Sequence, residues 1–232
     1  MTKATSAVEK LIVFDWGDVI EYHGAYSCYS LRALSYILKH MGLPCDQTAV
    51  REFIDLLYAN GILTKGKDAD LAAMVKAIYL HYNRPCYDGM VTDFKEMYNK
   101  AFMDMPYVLS AVDTAKARAK EGYARLGILS DLAKWDIPRL DRQVQLSQFD
   151  YKWFSFETGT TKKQEKAYIN VERESGIKPC NILYFDNNAN NVVAAQKRGW
   201  QAYCVTCEQA KRMQALINCF VGVCLDYGIL DR

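Results

Sequence analysis

Four places in the 232-residue chain combine side chains able to do chemistry with neighbours able to hold them still. Asp15 follows the apolar run Leu11-Ile-Val-Phe14, Ser130 and Asp131 follow Leu126-Gly-Ile-Leu129, and Asp186 with Asn187 follows Ile182-Leu-Tyr-Phe185. Lys162 sits between the second and third of these, in a Gly-Thr-Thr-Lys-Lys loop. Carboxylates, a hydroxyl and an ammonium gathered on one edge are costly unless a ligand satisfies them. Mg²⁺ on the carboxylates, with a phosphate on the serine and lysine, would do so, because Mg²⁺ binds through one or two carboxylates plus substrate phosphate. An aspartate can also attack phosphorus, and the resulting aspartyl-phosphate divides one hard displacement into two easier ones. Metal, lysine and serine would then neutralise charge on the group in transfer.

Such side chains converge only if the runs before them are neighbouring strands. Each run is short, continuous and apolar, the pattern of a strand buried on both faces of a parallel sheet. A fourth run, Ala202-Tyr-Cys-Val205, closes on Thr206. Helical patterns at 164–175 and 190–198 stop at Gly176 and Gly199. Alternation of this kind predicts an α/β fold with a doubly wound, Rossmann-like parallel sheet, whose ligands lie outside the carboxyl ends of the strands.

The first gap breaks the alternation. From Asp15 to Ser130 is 115 residues, against ~30 for a βαβ unit. Four amphipathic stripes fill it: Leu31 to Met41, Val50 to Tyr58 (stopping at Gly61), Leu71 to Tyr82, and Val91 to Phe102 (stopping before Pro106). They predict a small bundle of four helices inserted after the first strand. A fifth helix over 107–121, with Val108, Leu109, Val112 and Ala115 on one side, returns the chain to the sheet. The boundaries that follow are a core of 1–20 with 106–232 and an insertion of 21–105.

FDWGDV at 14–19, ILSD at 128–131, Lys162 and FDNNANN at 185–191 resemble, in order, the four motifs of the haloacid dehalogenase (HAD) superfamily. The helical insertion is similar to that family's C1-type cap, and the FDxGxV and DNNANN forms look closest to its sugar-phosphatase branch, such as glucose-1-phosphatase. The resemblance spans nearly the whole chain. It implies Asp15 as nucleophile and Mg²⁺ ligand, the Gly17 carbonyl and Asp186 as further Mg²⁺ ligands, Ser130 on the phosphoryl oxygens, and Lys162 on nucleophile and phosphate. It also implies a mobile turn from 17 to about 28 and a cap that selects the substrate.

Three departures from the family pattern stand at the centre. Gly17 replaces the usual acidic residue two places after the nucleophile, leaving Asp18 as a candidate general acid. Asn187 and Asn190 stand where that branch often has aspartates, and each lost carboxylate weakens attraction for a divalent ion. Lys163 replaces a proline. Trp16, His23 and Asp131 are candidate substrate contacts; Trp16 with Tyr22, Tyr26 and Tyr29 could equally be packing. The expected activity is Mg²⁺-dependent phosphatase chemistry on a small phosphorylated metabolite of sugar-phosphate type. The rivals are a catalytically degenerate member that binds or regulates, and a metal-independent dehalogenase; retained Asp186 and a non-aromatic residue at 17 count against the latter.

The remaining features exclude more than they add. Twenty-nine basic against 27 acidic side chains leave +2, with no basic stripe among the 16 tyrosines to make a nucleic-acid platform. No apolar run approaches the ~18 residues of a membrane span, and MTKATSAVEK lacks a signal-peptide stretch. A cytoplasmic protein is the expectation. Eight cysteines then read as free, buried thiols, Cys204 and Cys207 among them. Cys204-Val-Thr-Cys207 lacks the second knuckle of a zinc site, and His23, His40 and His81 have no ligand spacing.

Overall fold

The computed structural model describes residues 9–21, 28–59, 71–103 and 109–223. His23, Tyr22, Tyr26, Gly61, the loop at 64–68, Pro106 and Val108 lie outside the described residues. In chain order the described elements are β1 (Leu11–Phe14), α1 (Cys28–His40), α2 (Gln47–Ala59), α3 (Leu71–His81), α4 (Met90–Met103), α5 (Ser110–Lys120) and β2 (Arg125–Ser130). There follow α6 (Ile137–Val144), β3 (Tyr151–Phe154), the single turn α7 (Ser155–Thr158) and α8 (Glu165–Ser175). Last come β4 (Ile182–Asp186), α9 (Ala189–Lys197), β5 (Gln201–Cys204) and α10 (Ala210–Val221).

All five strands pair in parallel in the order β3-β2-β1-β4-β5. The fold is therefore the doubly wound α/β sheet, and its strand order reverses between β1 and β4, the position outside which open α/β sheets hold their ligands. Side chains alternate across the sheet with period two. Ile12 and Phe14 pack with Ala111, Val112 and Ala115 of α5 and Met213 and Ile217 of α10. Leu11 and Val13 pack on the opposite face with Tyr168 and Val171 of α8 and Val192 and Ala195 of α9. Burial of each large side chain here contributes about 2 kcal/mol. That rigid two-sided support holds the strand ends in place.

β3 and α10 are absent from the sequence reading. β3 is a four-residue edge strand paired only with β2, and Lys152 in its middle is exposed, so it has no continuous apolar run. α10 does carry a helical stripe, in Met213, Ile217, Phe220 and Val221. No helix of the described residues is long and apolar enough to cross a membrane.

Between β1 and α5, helices α1 to α4 build a second apolar cluster from Leu34, Ile37, Leu38, Val50, Phe53, Val75, Ile78 and Phe94. Asp46 caps α2, its Oδ1 accepting the N–H groups of Thr48 and Ala49 at 2.9 and 3.0 Å.

Candidate active site

Register brings the chemistry together. Phe14 lies opposite Phe185 and Ile128, and the Asp15 N–H donates to the Phe185 carbonyl at 2.8 Å, so Asp15 and Asp186 end adjacent strands at the crevice. Ser130 ends β2 on the other side of β1. Ser130 Oγ donates to Asp15 Oδ1 at 2.8 Å, and Lys162 Nζ reaches Asp15 Oδ2 at 2.7 Å and Asp186 Oδ2 at 2.8 Å. All four residues are buried. Four positions, the outermost of them 171 apart in the sequence, thus form one hydrogen-bonded chain.

Burial pushes the Asp15 carboxyl up to about 6, with the Asp186 charge adding to the rise and the Lys162 ammonium opposing it. Burial works against the Lys162 ammonium too, but Asp15, Asp186 and Asp131 outweigh it and hold the group charged. Asp131 is half-buried, and burial raises its carboxyl as well. Its oxygens accept the Lys162 backbone N–H at 3.1 and 3.4 Å, which anchors the lysine loop.

Asp186 is the most heavily bonded of these residues. Oδ1 accepts the Asn188 N–H at 2.7 Å; Oδ2 accepts Lys162 Nζ and the Tyr184 hydroxyl; and Asn191 Nδ2 donates to both at 3.2 and 3.0 Å. Four donors exhaust the roughly four lone-pair sites of a carboxylate, and the residue is fully buried. Its oxygens already serve the lysine, the strand and the turn, so a cation reaching Asp186 would have to take the place of one of these donors. Asp15, with two donors, keeps lone pairs in reserve. Asn187, next along the chain from Asp186, is exposed. Among the described residues no group of three or more His, Cys, Asp or Glu side chains is placed to hold a metal.

The turn after Asp15 is tightly wound. The N–H groups of Val19, Ile20 and Glu21 all point at the Trp16 carbonyl, at 3.3, 2.9 and 3.1 Å, and half-buried Gly17 pairs with Glu21. Asp18 adopts a left-handed backbone, φ 57°, a conformation that non-glycine residues keep only where the surroundings impose it. Its carbonyl accepts the Cys207 N–H at 2.7 Å and its carboxylate accepts from Asn187 Nδ2 at 3.4 Å. That places the candidate acid beside Asn187, at the end of β4. Trp16 is a correction: it is 1% exposed, packed in the core, with its indole N–H on Glu21 Oε2 at 3.1 Å, so no substrate reaches it. Asn190 is another. It is exposed on the first turn of α9, its N–H donates to the capping oxygen of Asn188 at 2.9 Å, and among the described residues its side chain joins no part of the cluster.

Tyr184, Asn191 and Tyr168 were missing from the sequence reading. Tyr184 precedes Asp186 by two residues on a strand, which puts both on one face; that signal was available. Asn191 and Tyr168 have only a helical position to mark them, and nothing in a single sequence aims them at Asp186 and Lys162. The cysteines are a correction: Cys204 and Cys207 are free thiols, but of the described free cysteines only Cys207 is buried, and Cys45, Cys86, Cys180, Cys204 and Cys219 are exposed.

No protein-family model matches the chain, and no curated protein does. Solved structures do. A predicted HAD-like family hydrolase from Porphyromonas gingivalis superposes with TM-score 0.66 at 18% identity, over 91% of this chain and 98% of that one. A HAD-family enzyme from Bacteroides thetaiotaomicron, in a magnesium complex, gives 0.64 at 15% identity, over 86% and 94%. CbbY from Rhodobacter sphaeroides, in complex with phosphate, gives 0.55 at 17%, over 84% of each chain. At such identity the likeness establishes the fold: an α/β, Rossmann-like arrangement shared with HAD-family hydrolases.

Proposed function

We propose that the chain is a phosphohydrolase of the HAD type acting on a small phosphorylated metabolite. The observation that carries the reading is the buried chain Ser130–Asp15–Lys162–Asp186 at the point where the strand order reverses. Asp15 is the nucleophile: one carboxylate oxygen bonds to phosphorus while the bond from phosphorus to the leaving alcohol oxygen breaks. Ser130 and Lys162 orient that carboxylate and hold the phosphoryl oxygens, and their hydrogen bonds cost no reorganisation during reaction. Asp18 delivers the proton that the departing alkoxide needs, and later accepts one from the water that hydrolyses the aspartyl-phosphate. Mg²⁺, held by Asp15, the Gly17 carbonyl and Asn187, would supply neutralisation of charge on the phosphoryl group in transfer. The helices α1 to α4 act as a cap that closes over the site and selects the substrate.

A second reading has its own observation. With Asp186 saturated and Asn187 neutral, the metal centre is poor in charge, which favours a protein that binds phosphorylated ligands without turning them over. A panel of phosphorylated metabolites assayed with Mg²⁺, beside thermal shifts with the same compounds, separates the two. Turnover lost in Asp15→Asn supports the hydrolase, whereas stabilisation without turnover supports the binding protein.

A further inference from the structure

On the α8–α9 face of the sheet, behind Asp186, the rings of Tyr168, Tyr184 and Trp200 meet edge to face. Their centroids are 6.5 Å (Tyr168–Tyr184), 5.5 Å (Tyr168–Trp200) and 5.7 Å (Tyr184–Trp200) apart, the geometry that suits ring quadrupoles. All three are buried, and a buried hydroxyl has to find a partner. Both tyrosine hydroxyls find theirs around Lys162. Tyr168 donates to the Lys162 backbone carbonyl at 3.0 Å and also lies 3.3 Å from the Asn191 carbonyl. Tyr184 donates to Asp186 Oδ2, the oxygen that also takes the Lys162 ammonium. Burial and the Asp186 charge raise both phenols, so both remain donors. Trp200 turns its N–H elsewhere, to Glu172 Oε1 at 2.8 Å.

We propose that Tyr184 and Tyr168 are positioning residues that set where the Lys162 ammonium stands between Asp15 and Asp186, one through Asp186 and one through the lysine backbone. The inference rests on the reading of Lys162 as the group that holds nucleophile and phosphate. The ammonium is shared by two carboxylate oxygens at nearly equal distance, 2.7 and 2.8 Å. A hydrogen bond donated to Asp186 Oδ2 draws negative charge from that oxygen and weakens its pull on the lysine. Removing the Tyr184 hydroxyl strengthens that pull and draws the ammonium away from Asp15. Loss of the Tyr168 hydroxyl instead frees the carbonyl end of the same residue. Small displacements of a positioned group carry large rate penalties.

The test uses the full chain and p-nitrophenyl phosphate with Mg²⁺. Tyr184→Phe lowers kcat by about tenfold with KM within twofold of wild type, and Tyr168→Phe lowers it by about threefold. The double variant falls short of the product of the two, because both act on one lysine. Trp200→Phe is the structural control: it lowers Tm while kcat stays within twofold. Tyr184→Phe with kcat within twofold of wild type overturns the inference. So does Trp200→Phe losing as much kcat as Tyr184→Phe at equal folded fraction. If Tyr184→Phe does not fold, Tyr168→Phe decides, and kcat unchanged there overturns the inference. If the wild type does not turn over p-nitrophenyl phosphate, the hydrolase reading loses its support separately, and a crystal structure of Tyr184→Phe decides this one. Lys162 Nζ displaced toward Asp186 supports it, and an unmoved ammonium overturns it.

Discussion

The ends of β1 and β4 lie side by side and carry the same residue type in opposite circumstances. Asp15 has two donors, from Ser130 and Lys162, and burial holds its carboxyl up at about 6. Asp186 is buried more deeply but has four donors, two of them from its own turn and strand and one from α9. Burial penalises an ion only to the extent that hydrogen bonds fail to replace water. Asp15 is therefore the under-satisfied carboxylate, costly to the fold and available for chemistry. Asp186 is the satisfied one, useful to the fold. A strained group beside a structural one is a common division of labour at active sites.

That contrast can be broken in several ways. The largest effect is on turnover: Asp15→Asn removes the nucleophile and is expected to cost at least about a thousandfold in kcat for any phosphorylated substrate found. Stability separates the two residues next. Asp186→Ala leaves the buried donors of Tyr184 and Asn191 without an acceptor and Lys162 with Asp15 alone, and urea unfolding is expected to show a loss of about 3 kcal/mol. Asp15→Asn should cost distinctly less, because Asp186 still accepts the Lys162 ammonium and the carboxylate it replaces is held above its ordinary range. Equal losses in both variants would erase the distinction.

The pH dependence follows with its sign reversed from the usual carboxylate. The Asp15 carboxyl stands at 3.8 when unperturbed and at about 6 in the fold. Between those values the native state retains a proton that the unfolded chain has released, so this residue's contribution to stability is full below the lower value and declines as pH rises toward the upper. Thermal melts from pH 4 to pH 7 should show that decline in the wild type and lack it in Asp15→Asn. The smallest effect concerns the metal. Asn187→Asp adds a carboxylate beside the open oxygens of Asp15, and titration calorimetry should find Mg²⁺ bound about five- to tenfold more tightly, as expected for ~1 kcal/mol of added attraction. Unchanged affinity would remove Asn187 from the metal-binding set.

Much of this was written in local pattern. Four apolar runs, each ending in a polar residue, announced β1, β2, β4 and β5, because a strand buried on both faces needs apolar side chains at every position. The runs also marked Asp15, Ser130 and Asp186, since residues at strand ends face the crevice. The helices α1 to α4 were equally legible from their 3.6-residue stripes. β3 was not, because an edge strand needs apolar residues only where it touches its one neighbour. Trp16 misled for a related reason: an aromatic side chain beside a nucleophile reads the same whether it turns toward the site or, as here, into the core.

By itself, then, the sequence determined which residues stand at the strand ends, and so which chemistry the crevice can attempt. Only the tertiary structure decided how many donors each carboxylate receives. Those donors come from β4, from the turn beyond it, from the loop before α8 and from the first turn of α9, and no spacing along the chain reports where they point. Since hydrogen bonds and burial together set whether a buried aspartate is strained or at rest, the difference between Asp15 and Asp186 exists only once the chain is folded.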